Sequence, residues 1–97
     1  MNIRRLLLDV DKAKEQPSLL DIAEAIEKVS GIEAANIAVD DVDMETVGMQ
    51  ITVEGENIDH EALVNAIEKT GAAVHSIDEV IVGNHIIERS RSIPRDK

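Results

Sequence analysis

The stretch 36-NIAVDDVDMETVGMQITVEG-55 decides the fold. In its second half Val47, Met49, Ile51 and Val53 are apolar, while Gln50, Thr52 and Glu54 are polar. A period of two predicts a strand with one buried face. Ile37 and Val39 start the same alternation in the first half, and Val42 falls out of phase with them. That slip predicts a β-bulge at Asp40 and Asp41. The stretch is therefore a β-hairpin whose corner carries Asp40, Asp41, Asp43 and Glu45. Gly48 falls just past the corner, where a positive φ would be tolerated.

Working outward, residues 32–42 and 47–54 form the hairpin strands. Upstream, Ser18 suits a helix N-cap, with Asp21 in the reciprocal capping-box position. Leu19, Ile22, Ala23, Ile26 and Val29 then recur at helical spacing. The first helix is expected over 19–30, stopped by Gly31 as a left-handed C-terminal residue. Before it, residues 3–10 read as a strand apolar enough on both faces to be central, and 11–17 as a polar connection. Downstream, Asn57 or Asp59 caps a second helix that runs to Thr70, with Ala62, Leu63, Ala66 and Ile67 as its stripe. A last strand starts near Ala73. Its alternation breaks at Val74, Ile77 and Val80, which predicts a bulge or an edge contact.

The ends of the two helices repeat: 25-AIEKVSG-31 against 66-AIEKTG-71. Each helix lies between two strands, so the chain is βαβ twice over. Two right-handed βαβ units sharing an antiparallel sheet give the ferredoxin-like βαββαβ sandwich, an α+β fold. Two helices cover one face and leave the other open. Gly83-Asn84 suits a tight hairpin turn, and a short fifth strand is expected at Ile86 and Ile87. The domain is read as residues 1–88, followed by a basic tail, 89–97, with Arg89, Arg91, Arg95 and Lys97.

Composition narrows the function. Ninety-seven residues make one domain. There is no Phe, Tyr or Trp, so the core is aliphatic and no stacking platform for bases exists. The formal net charge is −10, which repels phosphate backbones. Nucleic acid is accordingly not an expected partner. There is no cysteine, so disulfides and thiolate chemistry are excluded. The apolar run at 6–8 is too short for a membrane span, and a cytoplasmic location is expected.

Three segments resemble an archaeal family, domain of unknown function 211: IRRLLLDV at 3–10, DVDMETVGMQITVEG at 41–55 and VHSIDEVIVGNHIIE at 74–88. The likeness runs from Ile3 to Glu88, and its most specific piece is His75-Ser76-Ile77-Asp78-Glu79-Val80. The resemblance implies a ferredoxin-like fold, homo-oligomers, and an association with divalent cations, calcium in particular. It implies no established biochemical role. Members often carry a further acid after the Glu-Thr pair, where this chain has Val47.

The acidic corner is the candidate cation site. Asp41, Asp43 and Glu45 alternate along an extended segment, and three such carboxylates suit a hard cation once water or a neighbouring subunit completes the shell. The spacing is not that of an EF-hand: counted from Asp41, the sixth position is Thr46 and the twelfth Thr52. The plain alternative is a solvated turn that discourages edge pairing. His75 and Ser76 are adjacent, but on a regular strand they face opposite sides, and no G-x-S-x-G turn accompanies them. His60, His75 and His85 lack zinc-ligand spacing. No phosphate-binding glycine loop is present.

No catalytic residues are assigned, and the chain is read as a non-enzyme. Arg5, Leu7, Gln50 and Thr52 are expected on the open sheet face, which with the apolar segment 80–87 offers assembly surfaces. The leading expectation is an oligomer-forming module with calcium or another divalent cation at its acidic corners. The alternative is a small-molecule sensing module with its ligand at a subunit interface.

Overall fold

The computed structural model describes residues 1–88, so the basic tail expected at 89–97 lies outside the described residues. The elements run β1 (Ile3–Ala13), α1 (Leu19–Glu27), β2 (Ile32–Val42), β3 (Thr46–Gly55), α2 (His60–Lys69) and β4 (Ala73–Val82). The sheet order is β2-β3-β1-β4, with every neighbouring pair antiparallel. This is the ferredoxin-like α+β sandwich.

The core forms where the strands meet the helices. Leu6, Leu8 and Val10 of β1 and Val47, Met49, Ile51 and Val53 of β3 are buried on the helix side. Ile22 and Ile26 of α1 and Leu63 and Ile67 of α2 close over them. Each such side chain contributes about 1.5–3 kcal/mol by leaving water. The remaining parity, Arg5, Leu7, Asp9 and Asp11 on β1 with Gln50, Thr52 and Glu54 on β3, points to the uncovered side.

Helix starts follow the expected chemistry. Ser18 accepts from the Asp21 amide at 3.0 Å, and the Asp21 carboxylate accepts from the Ser18 amide at 3.1 Å. Asp59, rather than Asn57, caps α2, accepting from the Ala62 amide at 3.1 Å. Asn57 instead takes a positive φ of 49° in the preceding turn. Helix α1 stops at Glu27, three residues before the expected end at Ser30. Its last turn tightens, the Val29 amide donating to Ile26 O at 3.0 Å, before Gly31 takes a φ of +92° and its carbonyl accepts from the Glu56 amide at 2.9 Å. A Cβ on Gly55 would lie 1.8 Å from that carbonyl oxygen, so the two glycines let the chain ends of α1 and β3 touch.

The bulges fall where the alternation breaks. The β2–β3 register shifts between Val39 and Asp41, and β1–β4 shifts at Asp78 and His75 on β4 and at Arg4 on β1. Gly48 does not take a positive φ. Its missing side chain leaves room instead: a Cβ there would sit 3.4 Å from Asp11 Oδ1 and 3.5 Å from Asp40 Oδ1. Strand β1 also runs three residues beyond the expected Val10, because Asp11, Lys12 and Ala13 keep their ladder to β3. Lys12 is buried there and donates its ammonium protons to the Ala13 and Lys14 carbonyls. No fifth strand forms at Ile86 and Ile87. Gly83, at φ +117°, turns the chain toward the N-terminus, where its amide donates to Asn2 O at 2.9 Å.

Candidate functional site

The acidic corner is a closed turn on the β2 side of the sheet. The Asp43 amide donates to Thr46 O at 2.8 Å. Lys14 braces the turn from the β1–α1 connection: its amide donates to Glu45 O at 3.1 Å and its ammonium to Asp43 O at 3.2 Å. Asp40, Asp41, Asp43 and Glu45 are all exposed. Among the described residues, no group of three or more His, Asp or Glu side chains is placed to hold a metal ion. Asp41, Asp43 and Glu45 therefore lie close along the chain without converging into a preformed cage. Donors from outside the single chain are needed to complete a shell of six to eight oxygens.

A second polar group lies on the uncovered side of the sheet. His75 Nε2 is 2.7 Å from Asp11 Oδ2, across the β1–β4 ladder. Asp11 Oδ1 and Asp40 Oδ1 lean over Gly48 from β1 and β2. His75 sits in a register shift, which brings it to the same side as Ser76 rather than the opposite one. Ser76 Oγ donates to Asp78 Oδ1 at 2.8 Å, so His75 and Ser76 are bonded to different acids.

The third group centres on Arg5. Its Nε and Nη2 donate to Glu54 Oε2 at 2.9 and 2.7 Å. Its Nη1 and Nη2 donate to the two Glu88 oxygens at 3.0 and 2.7 Å. Glu79 Oε1 stands 3.6 Å from Nη1. The bonds from Glu88, then those from Glu54, hold the guanidinium pKa well above its ordinary value.

The sheet edges form the fourth feature. On β2, Val39 and Val42 are exposed although they pair with the buried Met49 and Val47. On β4, Ile77, Val80 and Val82 are exposed although they pair with the buried Leu8, Leu6 and Ile3. Both stripes are thus on the helix side, beyond the helices' reach. A nine-residue helix spans roughly 14 Å, whereas an 11-residue strand spans roughly 36 Å. Met44 at the corner adds to the β2 stripe.

The model of domain of unknown function 211, described as uncharacterized ArCR, matches residues 4–97. The chain belongs to that family. Within it, the chain is similar to uncharacterized protein MJ0319 of Methanocaldococcus jannaschii, at 41% identity over 95 residues, covering 98% of this chain and 96% of the relative. Members of domain of unknown function 211 are uncharacterised, so the family supplies a fold relationship and no activity. No helix among the described residues is long and apolar enough to cross a membrane.

Sequence reasoning found the corner because its acids are contiguous. It missed the Asp11–His75 pair and the carboxylates around Arg5, which are 64, 49 and 83 positions apart. Only the strand register brings them together.

Proposed function

We propose that this chain is a non-catalytic, cytoplasmic module that assembles with copies of itself edge to edge, with calcium or another divalent cation shared at the acidic corner. The observation that carries the reading is the pair of apolar stripes on β2 and β4. They lie on the same side of the sheet, each beside an open strand edge. Because all three pairings are antiparallel, β2 and β4 run in opposite directions. The β4 strand of a second copy laid along β2 continues the antiparallel alternation without reversing the sheet, and meets Val39 and Val42 with Ile77 and Val80. Strand addition supplies the backbone bonds and the stripes supply apolar burial. The seam moves accordingly from the open sheet face, where Arg5 is ringed by carboxylates, to the two edges.

The corner stands at the end of the β2 edge, so a neighbour's oxygens would reach Asp41, Asp43 and Glu45 there. Native mass spectrometry before and after EDTA tests the reading. The expected result is discrete oligomers with excess mass in units of a divalent metal, shrinking on chelation. A bare monomer in both samples overturns it.

A second reading is favoured by the cleft of about 560 Å³ between α1 and α2, where Lys28 and Lys69 stand with Ser30, Asn65 and Thr70. Two cations there in so acidic a chain suit a small anionic ligand. An organic adduct in the same spectra favours this sensing module over the first reading.

A further inference from the structure

We infer that residues 83–88 form a displaceable strap across the uncovered side of the sheet, latched by Glu88 on Arg5 and released by salt. The first observation is Ile81. It is 8% exposed, while its neighbours Val80 and Val82 are 51% and 48% exposed. Ile81 pairs with Arg5 and lies two residues from Glu79, which reaches Arg5. It therefore faces the side that no helix covers. The chain returning after Gly83, where Ile86 is half-buried, is the segment assigned as its cover.

Among the described residues, that return is held at Gly83 and at Glu88. At the hinge, the Gly83 amide donates to Asn2 O at 2.9 Å, and Asn2 Nδ2 donates to Gly83 O at 2.8 Å. Gly83 has a φ of +117°, with nothing within 4 Å of where a Cβ would stand. At the far end, both Glu88 oxygens accept from Arg5. Between these points, residues 84–88 belong to no strand ladder.

The latch is the salt-sensitive anchor. One guanidinium serves Glu54 from β3, Glu79 from β4 and Glu88 from the strap, so the carboxylates repel one another across it. Glu88 is the most exposed of the three, at 66%. An exposed pair of this kind is screened as the Debye length falls from about 10 Å at 0.1 M salt to about 3 Å at 1 M. Release uncovers Ile81 while the hinge holds. The strap thus sets how much apolar surface the open side presents, independently of the β2 and β4 edges.

The absence of Phe, Tyr and Trp allows a clean test. An Ile86→Trp substitution places one fluorophore on the half-buried middle of the strap. Acrylamide quenching is expected to rise roughly two- to fivefold between 0.05 and 1 M NaCl. Adding Glu88→Ala should give the high value already at low salt, with the far-ultraviolet circular-dichroism spectrum unchanged. Quenching insensitive to both salt and Glu88→Ala overturns the latch. A parallel measurement leaves Ile86 intact: binding of an apolar dye to Glu88→Ala should exceed that to the unsubstituted chain at low salt, and equal binding also overturns it. Repeating both in a Val39→Lys background separates the strap from edge assembly, because the strap response should survive loss of the β2 seam.

Discussion

Arg5 and Gly55 show how single residues set the limits of this fold. Truncating Arg5 to Met leaves Glu54, Glu79 and Glu88 facing one another without a cation. A loss of about 1 kcal/mol is expected, near the upper range for exposed ion pairs because the Glu88 contact is bidentate. Thermal melts should show it at low salt and much less at 1 M NaCl. The sign of its pH dependence follows from the raised guanidinium pKa. A group whose folded value lies above its unfolded value stabilises fully below the unfolded one and loses that contribution only in strong alkali. The penalty of Arg5→Met traceable to guanidinium titration should therefore be flat from about pH 5 to pH 10. Gly55→Ala acts differently. Its methyl would be driven into Gly31 O at a separation of 1.8 Å, and backbone rather than a flexible side chain stands in the way. A loss of at least about 3 kcal/mol is expected, read as a sharply lowered unfolding midpoint in urea.

At the scale of elements, each strand and helix is legible from local chemistry, and the errors have identifiable causes. The capping box at Ser18 and the bulge at Asp40 and Asp41 are both written in a few adjacent residues. Replacing Ser18 with Ala should lower stability by about 1 kcal/mol in urea titration. The early end of α1 was not legible, because it lies in a tightened last turn, Val29 N to Ile26 O, ahead of the glycine that marks the stop. The fifth strand expected at Ile86 fails for a different reason. Its apolar residues suit a strand, but contacts to Asn2 and Arg5 take the chain elsewhere. The corner is equally divided. Its acids were visible as a run, whereas their failure to converge follows from turn geometry. Under the proposed reading, Asp43→Asn with Glu45→Gln should abolish any calcium-dependent rise in melting temperature. An undiminished rise in that double variant would place the cation elsewhere.

For the whole molecule, the two edges are different surfaces, so their seam is heterologous. A Val39→Lys, Val42→Lys chain loses its β2 edge but keeps β4, and an Ile77→Lys, Val80→Lys chain does the reverse. Each alone should be monomeric by native mass spectrometry. Mixed one to one, they should form a heterodimer and nothing larger, since only one intact β2 edge and one intact β4 edge remain. Higher oligomers in the mixture would show that another surface carries assembly. In the language of polymers, a domain with one donor edge and one acceptor edge is a bifunctional monomer. Its growth stops only when the last edge finds the first. The sheet's right-handed twist, accumulated over four strands per copy, then decides between ring and open chain. The number of subunits would be a geometric property of strand twist, set without any residue dedicated to counting.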